Sequence, residues 1–85
     1  LVQRKIYTDK YKVEDKMKEL LDRFNNTNII EFRTIIKESE SKLEIVVTFL
    51  ALLELIKLRV IIAYQEGNFK EILMKRRVEH EQYRH

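Results

Sequence analysis

The chain has 85 residues, of which 45% are hydrophobic and 36% charged, and it carries a net charge of +3. Such a chain makes one small domain and is too apolar for intrinsic disorder, where too little apolar surface offsets the entropy of ordering. It has no cysteine, so disulfides, zinc–thiolate sites and thiol nucleophiles are excluded and a reducing compartment suits it. The mild positive charge permits contact with nucleic acid or an acidic protein without demanding either. No stretch reads as a signal peptide, and a chain beginning at Leu1 rather than Met reads as part of something longer.

Residues 1–12 form a basic lead-in, with Arg4, Lys5, Lys10 and Lys12 around Ile6, Tyr7 and Tyr11. A first helix is expected over 13–25, because Val13, Met17, Leu20, Leu21 and Phe24 fall on one face of a 3.6-residue period. Glu14 and Asp15 sit where the helix dipole favours anions. Asn25 and Asn26 should stop the helix, since Asn tolerates the left-handed conformation. Ile29 and Ile30 suggest a very short strand, and a second helix over 31–38 turns Phe32, Ile35 and Ile36 inward.

Ser41-Lys42-Leu43-Glu44 matches a capping box, in which the Ser oxygen and the Glu carboxylate each accept from an orphan backbone N–H. It opens a third helix running to about Leu58. The β-branched and aromatic run Arg59-Val60-Ile61-Ile62-Ala63-Tyr64-Gln65 favours a strand. Gly67-Asn68 suits a two-residue hairpin turn of type II′, and Phe69 to Lys75 returns as the partner strand. The order is helix, short strand, helix, helix, hairpin. It predicts an α+β, mostly α fold: a winged helix with a three-helix bundle and a C-terminal two-stranded wing. The domain is expected over 13–76, with a charged tail at 77–85.

The third helix is apolar around more of its circumference than one buried face needs. Projected at about 100° per residue, Ile45, Val46, Phe49, Leu50, Leu52, Leu53 and Ile56 make one broad set. Val47, Ala51 and Leu55 make a second stripe beside Glu44, Thr48 and Glu54. Together they exceed the ~100° stripe of an ordinary surface helix, and spacing does not decide which set is exposed. Apolar surface left over in a soluble domain marks an interaction site. The segment is not a membrane span, being shorter than the roughly 20 residues required and carrying Glu44, Glu54 and Lys57.

Thr48-Phe49-Leu50-Ala51-Leu52-Leu53-Glu54-Leu55, then Arg59-Val60, then Gln65-Glu66-x-x-Phe69-x-x-Ile72, resembles the C-terminal domain of the kleisin family called segregation and condensation protein A. Val13-Glu14-Asp15-Lys16-Met17 is similar to that family's first helix. The resemblance covers roughly residues 13–74. Departures are Asn68 for the family's Pro, Lys70-Glu71 for its Gly-Asp, and Lys12 where a Ser cap is common. The resemblance implies an adaptor, cytoplasmic and nucleoid-associated, in a chromosome condensation and segregation complex. Its winged helix would grip the ATPase head of a structural maintenance of chromosomes (SMC) protein. Other parts of the full-length chain would recruit segregation and condensation protein B, and DNA would be held indirectly through the complex. Phe49, Leu50 and Leu53 of the third helix, with Phe69 and Ile72 of the wing, are the partner-binding candidates.

The rival is DNA binding. A recognition helix needs Arg, Lys, Asn or Gln aimed at base edges, and between Leu43 and Leu58 only Lys57 qualifies, beside two Glu. Non-specific phosphate contact from the lead-in or from Lys75, Arg76 and Arg77 stays open, although such runs are usually solvated. Catalysis is not expected. His80 and His85 stand alone in the tail, at a spacing that puts them on different helix faces. Gly67 is the only glycine, which excludes a phosphate-cradling loop. No cofactor, metal or membrane partner is implied.

Overall fold

A computed structural model describes residues 10–67 and 71–78. Arg4, Lys5, Asn68, Phe69, His80 and His85 lie outside the described residues. Three helices, α1 (Val13–Arg23), α2 (Phe32–Glu38) and α3 (Lys42–Lys57), combine with three strands, β1 (Ile29–Glu31), β2 (Ile61–Gln65) and β3 (Ile72–Arg76). The fold is α+β and mostly helical, compatible with a winged helix. The strands form one antiparallel sheet in the order β1-β3-β2, so the expected two-stranded wing is extended by β1. Ile30 pairs with Met74, and Ala63 pairs with the same Met74 from the other side. Ile30 and Met74 are both buried, so the sheet closes one side of the core.

That core takes Leu20 and Phe24 from α1, Ile30, Ile35, Ile61 and Met74 from the smaller elements, and Ala51, Leu52 and Leu55 from α3. Burying each large aliphatic side chain contributes roughly 1.5–3 kcal/mol.

Several element ends differ from expectation. Helix α1 stops at Arg23, and the Asn pair is not left-handed. The amides of Phe24, Asn25 and Asn26 instead bond the carbonyls three residues back, at 3.1, 3.0 and 3.1 Å, a tightened last turn that satisfies orphan carbonyls. In α2, Ile35 is buried but Ile36 points outward at 37% exposure. At α3 the Ser41 hydroxyl accepts from the Glu44 amide, as a capping box requires, at 3.1 Å. The Glu44 carboxylate, however, accepts from the amide of Glu40 at 2.8 Å, one residue before the cap.

The strand expected from Arg59 begins only at Ile61, because Arg59 ends α3 in the left-handed conformation (φ 65°). The Val60 amide bonds the Leu55 carbonyl and the Arg59 amide bonds the Ile56 carbonyl, each at 2.9 Å. That pair of bonds is a Schellman motif, which usually places glycine where Arg59 stands. A side chain in this conformation costs about 1–2 kcal/mol. Arg59→Gly is therefore expected to raise stability by about 0.5–1 kcal/mol, the relief being partly offset by a freer unfolded chain. A urea melt checks this, and a loss of stability would mean that the Arg59 side chain makes a compensating contact.

Among the described residues the last pair of the hairpin ladder is Gln65 with Ile72, and Asn68 of the expected two-residue turn lies outside them. Gly67 sits at φ 157°, away from the roughly +60° of a II′ turn.

Candidate interaction surface

Helix α3 divides into two sides. Val47, Thr48, Ala51, Leu52 and Leu55 are buried, in an arc about 140° wide at the helical period. Val46, Phe49, Leu50 and Leu53 lie opposite, in an arc about 100° wide, at 46%, 44%, 40% and 45% exposure. The buried side meets α1, which packs against α3, and the short Ala51 there lets the helix axes approach. Four large apolar side chains are nevertheless left in solvent on the other side. This resolves the ambiguity of the sequence: Phe49, Leu50 and Leu53 are exposed, whereas Val47 and Leu55 are core.

The stripe does not end at α3. The Phe32 ring meets Phe49 edge-on, with centroids 6.1 Å apart and planes at 63°. Phe32 also lines a shallow concavity with Ile36 and Ile72, the latter exposed at the start of β3. One apolar surface thus runs from α3 across α2 to the wing. The sequence pointed to Phe49, Leu50, Leu53 and Ile72, and the surface also takes in Val46, Phe32 and Ile36. Phe69 lies outside the described residues. At the rim, Arg33 pairs with Glu71 at 3.2 Å, and Lys37 lines the same concavity. An apolar centre with a charged rim is the anatomy of a protein–protein interface.

A polar corner holds the other end of α3. The buried Lys16 donates to Glu19 at 3.2 Å and to Glu44, with its ammonium 5.3 Å from the Tyr11 ring centroid. The Tyr11 hydroxyl donates to Glu40. Burial works against the Lys16 charge, but its bonds to Glu44 and Glu19 outweigh that and raise its pKa above the ordinary value. The Lys16 bond, reinforced by the Glu40 amide, holds the Glu44 carboxyl below its ordinary value.

Lys75, Arg76 and Arg77 stand at the opposite end of β3 from Ile72, all exposed. The Lys75 ammonium lies 5.7 Å from the Tyr64 ring centroid, and Arg76 donates to the Leu21 carbonyl at 3.2 Å. Among the described residues no group of His, Asp or Glu could hold a metal ion, and no helix is long and apolar enough to cross a membrane.

These features define a small α+β domain whose longest helix keeps one apolar side open to solvent. The sequence matches the family described as Segregation and condensation protein ScpA over residues 2–76, and the chain belongs to that family. It is 48% identical over 77 residues to segregation and condensation protein A of Clostridium botulinum (strain Alaska E43 / Type E3), covering 91% of this chain and 31% of that protein. The counterpart from Clostridium acetobutylicum is 51% identical over 72 residues, covering 85% of this chain and 29% of that protein. That from Thermoanaerobacter sp. (strain X514) is 44% identical over 70 residues, or 82% and 29%. The chain therefore spans about three tenths of the length of these relatives, whose shared name is not that of an enzyme.

Proposed function

We propose that this chain is the adaptor domain of a kleisin, acting in chromosome segregation and condensation by docking onto the ATPase head of an SMC protein. The observation that carries the reading is the solvent-facing stripe Val46, Phe49, Leu50 and Leu53, continued by Phe32, Ile36 and Ile72. Leaving these side chains in water forgoes roughly 25 cal/mol for every Å² that a partner would cover, and family membership supports the choice of partner. Phe69, outside the described residues, is retained as a partner-binding candidate in this reading. Any ATP chemistry belongs to the partner. Segregation and condensation protein B engages the longer protein elsewhere, and DNA is held through the assembled complex in the cytoplasm. Residues 13–76 form the docking domain, flanked by the basic lead-in and the charged tail.

Calorimetric titration into the cognate SMC ATPase head tests this, with Leu53→Arg as the comparison. A central anchor in such an interface is worth at least about 2 kcal/mol. The variant should therefore bind at least about 30-fold more weakly while keeping its circular dichroism spectrum. A folded wild-type chain that does not bind the head would overturn the reading, and equal binding by the variant would move the interface off α3.

A further inference from the structure

We propose that the basic concavity at the far end of β3 binds the phosphodiester backbone of duplex DNA. Phe24, Thr27, Asn28, Lys75, Arg76, Arg77 and Val78 line it, giving three cations and no carboxylate. The cleft between α1, α2 and α3 differs sharply, with Glu19, Asp22, Glu38 and Glu44 around Lys16 and Arg23. The β1–β3 register explains the assembly. Ile29 pairs with Lys75, so continuing the ladder sets Asn28 and Thr27 beside Arg76 and Arg77. On the other side the Arg77 amide bonds the Val60 carbonyl at 2.8 Å, which ties this end of β3 to the turn that leads into β2.

The cations are placed rather than loosely tethered. Arg76 uses one of its five N–H donors on the Leu21 carbonyl and keeps the others for an anion. The Thr27 hydroxyl donates to the Ile29 carbonyl at 3.0 Å, which shapes the turn at the rim. Lys75 and Arg77 are two residues apart on an extended chain, so they project to the same side about 6.6 Å from one another. A row of charges suits a row of phosphates better than a single ion, and a DNA strand offers one phosphate per ~3.4 Å of axis. Membership of a chromosome segregation and condensation family makes DNA the polyanion to test first.

This site is separate from the α3 surface. Ile72 and Arg76 stand at opposite ends of a strand about 13 Å long, so a partner on α3 and a duplex at Arg76 do not compete for the same residues. The domain would then hold DNA directly as well as through its complex.

The experiment is fluorescence anisotropy of a labelled 30-base-pair duplex with this chain, from 50 to 200 mM salt. Binding should weaken with a log–log slope of about −3, and duplexes of unrelated sequence should bind alike. The double variant Lys75→Gln/Arg77→Gln should bind at least tenfold more weakly at 50 mM salt, with a slope near −1. Lys10→Gln/Lys12→Gln should stay within twofold of wild type. Equal binding by the Lys75/Arg77 variant overturns the proposal, as does no binding by wild type at 50 mM salt. Full displacement by 10 mM inorganic phosphate at matched ionic strength would reduce the feature to a single-anion site and also overturn it. The Lys75/Arg77 variant should still titrate into the SMC head, and Leu53→Arg should still bind the duplex, so the two readings fail separately.

Discussion

Leu55→Ala is expected to lower the unfolding free energy by about 3–4 kcal/mol, whereas Leu53→Ala should cost under about 1 kcal/mol. The two leucines are two residues apart on the same helix. Leu55 is 1% exposed and sits in the core with Ile61 and Met74. Its carbonyl also accepts the Val60 amide that turns the chain into β2, and Val60 packs back against the core. Truncation there removes transfer free energy and leaves a cavity between α3 and the sheet. A domain of this length is stable by only roughly 4–13 kcal/mol, so much of the margin disappears. Leu53 is 45% exposed, and a surface truncation leaves no void. Urea denaturation followed by circular dichroism measures both, with unchanged m-values marking a stability effect. Equal losses would mean that α3 packs through the Leu53 side, and the proposed docking surface would fall with that result.

The division between those leucines was the part of the fold that the sequence could not supply. Periodicity locates a buried face only when the other face is polar. Helix α3 is apolar on both, so the pattern that announced a partner surface also hid its position. Size is a poor guide as well, because the helix turns Val47, Thr48 and Ala51 inward and leaves Phe49, Leu50 and Leu53 in solvent. Glu44, which as a charged residue should mark a solvent side, falls on the buried side because it answers Lys16 of α1, a contact 28 residues away that no local pattern encodes. Where local chemistry decides, the sequence was readable: the Ser41 cap, the α1 face through Leu20 and Phe24, and the β2–β3 pairing. It misled where tertiary structure overrides local preference. Arg59 takes a glycine's conformation because α3 must turn into β2, and Gly67 adopts a φ of 157° in place of the one that a type II′ turn requires. Ile36 joined the exposed surface unannounced, and Phe32 packs against the core while its ring edge reaches Phe49, since two turns of helix are too few to define a face.

Glu44→Gln should cost about 2–3 kcal/mol at neutral pH, and the difference should shrink as the solution is acidified. Glu44 serves two elements at once. One oxygen accepts the Glu40 amide ahead of α3, and the other takes the Lys16 ammonium from α1. Both side chains are largely sequestered, at 11% exposure for Lys16 and 16% for Glu44. Removing one member of a fully buried pair costs about 3–5 kcal/mol because the other charge is stranded. Residual exposure and the remaining Glu19 contact bring the expectation down. The pH dependence follows from linkage. The folded state holds the Glu44 pKa below its ordinary 4.5, so protonation is harder folded than unfolded. Its contribution is therefore complete above the ordinary value and is lost as pH falls through the folded one. The amide variant has no such loss to suffer, so the two stability curves should converge on the acid side. Lys16 behaves oppositely: its raised pKa keeps its contribution intact below 10.5 and loses it as pH climbs through the folded value. Urea midpoints measured at neutral pH and at steps below pH 4.5 decide the matter. Parallel curves for wild type and variant would show that the Lys16–Glu44 pair does not couple α1 to the start of α3.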